Sequence, residues 1–230
     1  MKKNQKKLQS NINTKQVFGL GELLDLLYTL NTRKFVESVD LDVVLNLKTK
    51  NAKEVIRGSV QFPHQFGVEK IVYVLCEDKD VNLALSSGAN KAGLEEIITE
   101  ISTGKINFDV LLATPTVMNK IVGLAKILGP KGLMPNPKNG TVTENLSEAI
   151  KLFKLGKVNF KTNPPQQVVR LKVGNIKMDK SKLEDNILEA LKVIYLETKK
   201  FNKNPLKKVT ISLTMGPGLK LDTSDIINRI

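Results

Sequence analysis

The sequence predicts an α/β protein with two parts: a basic part built from both chain ends and an uncharged part inserted between them. The net charge of +13 is divided unevenly, because residues 1–67 contribute +5, residues 157–230 contribute +8, and residues 68–156 contain ten basic and ten acidic residues. The middle segment also alternates short apolar strands with helices, which is typical of a parallel sheet between two helical layers. We therefore expect a discontinuous basic domain, 1–67 and 157–230, around an inserted three-layer α/β domain, 68–156.

The basic segments predict helices packed on half-buried strands, in two layers. "LGELLDLLYTL" carries leucines at helical spacing, residues 39–47 alternate apolar and polar side chains, and "EVIRGSVQF" forms a second strand. We expect a hinge at Gln65–Val68, after Pro63. Beyond the middle segment, "KVNF" and "QVVRLKV" are predicted strands around the loop "KTNPPQ". A long helix follows with Ser181 as N-cap and Glu184 completing a capping box, and then the strand "LKKVTISLTM".

The middle segment predicts two buried strands, "KIVYVLC" and "FDVLLAT", among helices. The helix "PTVMNKIVGLAKIL" has Pro115 in its first turn, and the helix in "TENLSEAIKLFKLG" has Thr143 as N-cap and Gly156 beyond its end. Between these helices, "ILGPKGLMPNPKNGTV" is too broken for a helix or strand and too apolar for a flexible linker. Its prolines predict a stiff, basic, exposed loop with a structural role.

The composition argues against several classes of function. No run of 18 apolar residues is present, and the basic start of the chain lacks the apolar region of a secretory signal. Cys76 has no partner for an internal disulfide, His64 is the one histidine, and neither a Ser/His/Asp set nor a GxxxxGK[ST] loop occurs. We therefore expect no catalytic residues, metal or cofactor, and the charge favours nucleic acid over a membrane as the partner.

Two short stretches are candidates for contact with RNA. In "NTRKFVES", Arg33 and Lys34 stand beside Phe35, a combination in which cations meet phosphates and a ring stacks on a base. The alternative is that Phe35 begins the core of the next strand. In "SLTMGPGLKLD", a strand carries Thr214 and its neighbours to a sharp turn, which is also consistent with an ordinary Gly-Pro-Gly turn.

Five motifs together resemble the bacterial-type ribosomal protein L1 family: "KFVES", "RGSVQFPH", "FDVLLATP", "GPKGLMPNPKNGTV" and "TMGPG". They occur in the family's order between about Leu20 and Asp222. The resemblance implies an RNA-binding split α/β sandwich formed by both chain ends and an inserted Rossmann-like domain.

The resemblance also implies partners. Members of the family bind a bulge-and-junction structure in large-subunit rRNA and form the mobile stalk near the E site, where they engage deacylated tRNA and assist its release. Bacterial members also repress translation by binding their own mRNA. We accordingly expect a monomer within the ribosome, with no membrane partner. The surplus of lysine over arginine suggests an AT-rich genome, in a bacterium or an organelle.

Site residues follow from the matching motifs. The family's RNA surface corresponds to Lys34, Phe35 and Glu37 and to Thr214, Met215 and Gly216. The resemblance implies apolar contact from Phe35 and Met215, hydrogen bonds from Thr214 and Gly216 to riboses, a phosphate contact from Lys34, and acceptance by Glu37 from a 2′-OH or a base amine.

The chain departs from the family pattern at several places. Lys131 replaces the usual Arg, "FPHQFG" replaces LPHGTG, and "KTNPPQQVVR" replaces a basic turn and a histidine. Lys161 and Arg170 are the candidate phosphate ligands at that altered edge. Two alternatives are also consistent with the sequence: a nucleotide-dependent enzyme built on the middle domain, and a regulatory RNA-binding protein outside the ribosome.

Overall fold

The computed structural model describes residues 16–31, 33–46, 55–162 and 167–229, with mixed α/β structure. The chain forms two compact units, divided between Gly67 and Val68 and again between Val158 and Asn159. The basic N-terminal segment 1–15, the predicted strand end at Leu47 and most of the loop "KTNPPQ" lie outside the described residues. The assignment of separate functions to two domains stays a prediction.

The first unit contains a five-stranded sheet in the order β1 (Val17–Phe18), β10 (Leu219–Leu221), β9 (Leu206–Leu213), β2 (Ser38–Leu45), β8 (Val168–Asn175). Strands β1 and β10 are parallel, and the other neighbours are antiparallel. Leu41 of β2 lies opposite Leu171 on one side and Ile211 on the other, and all three are buried. Segments from both chain ends thus share one hydrophobic core.

Helices cover the apolar face of this sheet. Helix α1 (Leu20–Leu30) buries the four leucines that predicted it. Helix α7 (Lys180–Lys199) packs against β8 and buries one stripe, which includes Ile187, Leu191 and Ile194. A short helix, α8 (Thr223–Arg229), ends the unit, and β3 (Arg57–Gln61) pairs with β7 (Lys157–Lys161) in a separate two-stranded sheet.

The second unit contains a parallel sheet in the order β5 (Lys91–Ala92), β4 (Val72–Leu75), β6 (Val110–Ala113). One face packs against α2 (Asp78–Ser86) and α6 (Leu146–Lys154). The other face packs against α3 (Glu95–Ser102) and the helical turns that follow β6. Cys76 is fully buried after β4, and this burial raises the pKa of its thiol.

Two predicted helix caps are wrong. Helix α6 begins at Leu146, three residues after Thr143, whose hydroxyl accepts instead from the backbone N–H of Asn145 at 3.1 Å. Helix α7 begins at Lys180, so Ser181 lies inside its first turn and no capping box forms. In both cases a residue with a suitable side chain stands near the helix start, but the backbone enters the helix at another position.

The predicted helix after β6 is interrupted, and it extends into the glycine- and proline-rich stretch. A 3₁₀ turn at Pro115–Val117 precedes α4 (Met118–Ile121), and a second one at Val122–Leu124 precedes α5 (Ala125–Lys131). The predicted helix "PTVMNKIVGLAKIL" ends at Leu128, so the expectation that the following residues are too broken for a helix is wrong for residues 129–131. Gly132 ends α5 with φ of 72°, a left-handed conformation that favours glycine.

The remainder of that stretch is held by its own hydrogen bonds. The Thr141 hydroxyl accepts from the backbone N–H of Asn136 at 2.7 Å and lies 3.0 Å from the Asn136 carbonyl oxygen. Leu133 and Met134 pack against the apolar core of the second unit. None of the helices in the described ranges is long and apolar enough to cross a lipid bilayer.

Candidate nucleic-acid interface

The two stretches predicted to contact RNA lie side by side at one end of the five-stranded sheet. Because β2 and β9 are antiparallel, the first residues of β2 lie beside the last residues of β9, with Val39 opposite Leu213. Beyond that pair, the Thr214 N–H donates to the Ser38 carbonyl oxygen, and the Ser38 N–H donates to the Thr214 hydroxyl, each at 3.1 Å. We call residues 33–38 and 214–216 together the strand-end surface.

Glu37 joins the two halves of the strand-end surface from inside. Its side chain is buried, with 2% of the residue exposed, and Oε1 accepts from the backbone N–H of Met215 at 3.0 Å. Its carbonyl oxygen also accepts from the Ile176 N–H at the end of β8. Glu37 thus holds the turn at residues 214–216. The sequence motif predicted only that Glu37 accepts a hydrogen bond from RNA, and this structural role was not predicted.

Apolar and cationic side chains of the strand-end surface face solvent. Phe35 is 51% exposed and Met215 is 55% exposed, whereas most large apolar side chains of β2 and β9 are buried. Phe35 therefore lies outside the core, and the first buried apolar residue of β2 is Val39. Arg33 and Lys34 are exposed immediately before Phe35. This combination offers apolar area for bases and positive charge for phosphates.

Gly216 allows the turn after β9 to be tight. Its N–H donates to the Leu213 carbonyl oxygen at 3.0 Å, and a Cβ at this position would lie 3.1 Å from the Leu213 Cβ. Because of this close approach, a larger residue at Gly216 would disturb the backbone next to Thr214 and Met215. The turn also connects β9 to β10, which is its ordinary structural role.

The solvent-facing side of the sheet carries opposite charges. Asp42 lies opposite Arg170 in the register of β2 and β8, and these side chains form an exposed ion pair at 3.5 Å. Asp40 lies opposite Lys172, and partial burial raises the pKa of Asp40, an effect that Lys172 opposes and Asp42 reinforces. With Ser212, these residues line a shallow depression. The alternation of residues 39–47 predicted that Asp40 and Asp42 lie on a polar face. Their partners, Lys172 and Arg170, are identified by the pairing of β2 with β8.

The candidate residues at the altered edge lie apart from the strand-end surface. Arg170 faces Asp42, four residues along β2 from Ser38, which corresponds to roughly 13 Å. Lys161 is exposed on β7, in the other sheet of the first unit. Neither residue is part of the strand-end surface, and a contact between Arg170 and a phosphate would compete with its ion pair to Asp42.

His64 is explained by packing against α7. Its backbone N–H donates to Asn186 Oδ1 at 3.1 Å, and its ring Nε2 lies 3.1 Å from Asp185 Oδ2. Asn186 is fully buried and donates to the carbonyl oxygens of His64 and Val173. Among the described residues, no group of three or more His, Cys, Asp or Glu side chains is arranged to hold a metal ion.

Comparison with known proteins defines the class. Residues 27–217 match the model of the family described as Ribosomal protein L1p/L10e family. The chain is also 34% identical over 229 residues to "Large ribosomal subunit protein uL1" of Methylococcus capsulatus, with 97% of each chain covered. The class is that of structural ribosomal proteins, and the predicted absence of an enzymatic role is confirmed. More particularly, the chain belongs to the Ribosomal protein L1p/L10e family, which confirms the resemblance drawn from its motifs.

Proposed function

We propose that this protein is a constituent of the large ribosomal subunit and binds large-subunit rRNA through the strand-end surface. Family membership and the name of the Methylococcus capsulatus relative support large-subunit rRNA as the partner. The location of the RNA-binding site is supported by the pair of hydrogen bonds between Ser38 and Thr214, because these bonds bring the two predicted RNA-contacting stretches together.

The chemistry of each side chain suggests its role. Phe35 and Met215 offer apolar surface to unstacked bases, and Arg33 and Lys34 offer charge to phosphates. The Thr214 hydroxyl accepts from the Ser38 N–H and donates to the Ser38 carbonyl oxygen at 3.4 Å, a long contact from which its hydrogen can be redirected to a ribose oxygen. Gly216 leaves room for a ribose beside the backbone, and Glu37 positions the turn.

The finer organisation is part of the same proposal. The basic segments, residues 1–67 and 157–230, form the RNA-binding domain, since they carry the whole excess of positive charge. Residues 68–156 form an inserted Rossmann-like domain, a description supported by a parallel sheet with an apolar core on each face. Together they form the mobile stalk near the E site and assist the release of deacylated tRNA.

A second RNA partner belongs to the proposal as well. A structure on the protein's own mRNA that imitates the rRNA junction would occupy the same strand-end surface, so binding would repress translation. The two RNAs would then compete, and saturating rRNA fragment would displace the mRNA. The protein acts on the ribosome of a bacterium or of an organelle with an AT-rich genome, a setting suggested by the excess of lysine over arginine.

The test uses full-length variants and a fragment of large-subunit rRNA that contains the junction. Replacement of Phe35 by alanine should weaken binding by about 1–3 kcal/mol if its ring stacks on a base, and replacement of Met215 by alanine should also weaken it. Val122→Ala is the matched control, because Val122 is 62% exposed in the second unit. Equal affinities for all four proteins, measured by fluorescence anisotropy at one salt concentration, would refute the proposed site.

A further inference from the structure

A second basic surface lies at the opposite end of β9 from the strand-end surface. Residues 199–208, "KKFNKNPLKK", contain five lysines and no acidic residue. The lysine side chains are all exposed, on the last turn of α7, the loop after it and the start of β9. We call Lys199, Lys200, Lys203, Lys207 and Lys208 the distal lysine cluster.

An irregularity in the sheet exposes two of these lysines next to each other. In the register of β2 and β9, Val44 lies opposite Lys208, but Leu45 lies opposite Leu206. Lys207 is therefore the extra residue of a β-bulge, and both Lys207 and Lys208 are exposed between the buried Leu206 and Val209. Regular alternation would have turned one of the two lysines toward the core.

The backbone that carries the distal lysine cluster is held in place. The Asn202 side-chain amide donates to the Asn46 carbonyl oxygen at 2.7 Å, and the Asn46 N–H donates to the Pro205 carbonyl oxygen at 2.7 Å. The connection between α7 and β9 is thus tied to the end of β2. Less ordering is then required when a ligand binds the lysines.

Most of this charge is not neutralised within the protein. Lys200 lies 3.7 Å from Glu197, and the Lys199 ammonium group lies 5.7 Å from the centre of the Tyr195 ring. Lys203, Lys207 and Lys208 form no salt bridge within the described part of the chain. The C-terminal dipole of α7 accounts for a preference for lysine at its last turn, but it does not extend to β9.

The distal lysine cluster and the strand-end surface are separate. Lys208 and Thr214 are six residues apart on one extended segment, which corresponds to roughly 20 Å. The side of the sheet between them carries Asp40 and Asp42 beside Arg170 and Lys172, so the surplus of positive charge is interrupted there. We propose that the distal lysine cluster binds the phosphate backbone of an RNA segment other than the one held at the strand-end surface. This inference rests on the proposed function for the nature of the partner, and the exposed ring of Phe201 among the lysines suits RNA.

The experiment uses the full chain and a 16-base-pair RNA duplex of unrelated sequence, which lacks unstacked bases and the rRNA junction. The double variant Lys207→Gln/Lys208→Gln should bind this duplex roughly tenfold more weakly at 0.15 M salt, with a salt slope lower by about one to two units. Lys105→Gln/Lys151→Gln removes the same charge from exposed positions of the second unit and should have little effect. Thermal unfolding of each variant checks that folding is retained.

The outcomes separate this inference from the proposed function. The effect of Phe35→Ala on binding of the junction fragment tests the strand-end surface independently, because the duplex measurement compares only the two lysine pairs. Equal losses of duplex affinity in the two double lysine variants would overturn the distal site, even if Phe35→Ala abolishes binding of the junction fragment. Lysine-dependent binding to vesicles of phosphatidylglycerol, without lysine-dependent binding to the duplex, would also overturn it.

Discussion

Glu37 accepts a hydrogen bond at 3.0 Å from the backbone N–H of Met215, a residue 178 positions away in the sequence. Glu37 is buried, whereas Met215 is 55% exposed. A buried carboxylate thereby fixes the backbone of an exposed apolar residue, and the same interaction joins the two stretches that carry the proposed RNA contacts. Hydrogen bonds to charged groups contribute about 1.5–3 kcal/mol, so this one is a substantial part of the order at the strand-end surface.

The first prediction concerns this hydrogen bond. Glu37→Ala should lower the free energy of unfolding by about 1–3 kcal/mol and also weaken rRNA binding, because the Met215 N–H loses its partner. Glu37→Gln should retain most of both properties, since its amide oxygen can accept the same hydrogen bond. If Glu37→Gln is fully stable yet binds rRNA as weakly as Glu37→Ala, the carboxylate contacts RNA directly.

The second prediction concerns Thr214. Thr214→Val preserves the shape of the side chain but leaves the Ser38 N–H without its acceptor, at a cost of about 0.5–1.5 kcal/mol. Hydrogen exchange of the Ser38 amide should become faster, while Thr214→Ser should behave like the parent protein. An unchanged exchange rate in Thr214→Val would show that the hydroxyl does not hold β2 in solution.

The third prediction concerns the dependence of stability on pH. Burial raises the pKa of Asp40 above its usual value of 3.8, so the native state binds this proton more tightly than the unfolded state. Ionised Asp40 therefore destabilises the fold at pH 7, and Asp40→Asn should be more stable than the parent there. The difference should shrink as the pH falls toward 3.8, which urea unfolding across that range would show. A difference that is constant with pH would contradict this assignment.

The fourth prediction concerns the two-stranded sheet. A Cβ on Gly58 would lie 2.6 Å from the Phe160 ring, which is buried beside it. Gly58→Ala should therefore destabilise the protein by about 1–3 kcal/mol through overpacking. Gly123→Ala is the control, because no atom lies within 4 Å of its added Cβ. Equal stability of the two variants would mean that Phe160 moves without cost.

Local patterns predicted the main elements well. The leucine spacing located α1, the alternation in residues 39–47 located β2, and the apolar runs located β4 and β6. Caps were less predictable, because a threonine or serine near a helix start has several possible backbone partners, as Thr143 shows. The short strands β1, β5 and β10 were not predicted, since two or three residues carry too little periodicity.

The candidate site was predictable as two stretches, but the structure was needed to join them. The exposure of Phe35 depends on where β2 begins to be buried, and the role of Glu37 depends on a partner from the other end of the chain. The β-bulge at Lys207 is also invisible in the sequence, because it is defined by the register with β2. Contacts between distant segments determined each of these features.

Chemical footprinting of purified large-subunit rRNA with the full-length protein tests directly whether the strand-end surface binds rRNA. We expect the parent protein and Val122→Ala to protect one compact junction, and Phe35→Ala and Met215→Ala to lose this protection while remaining folded. If Phe35→Ala and Met215→Ala protect the same nucleotides at the same protein concentration as the parent, the strand-end surface is not the rRNA-binding site.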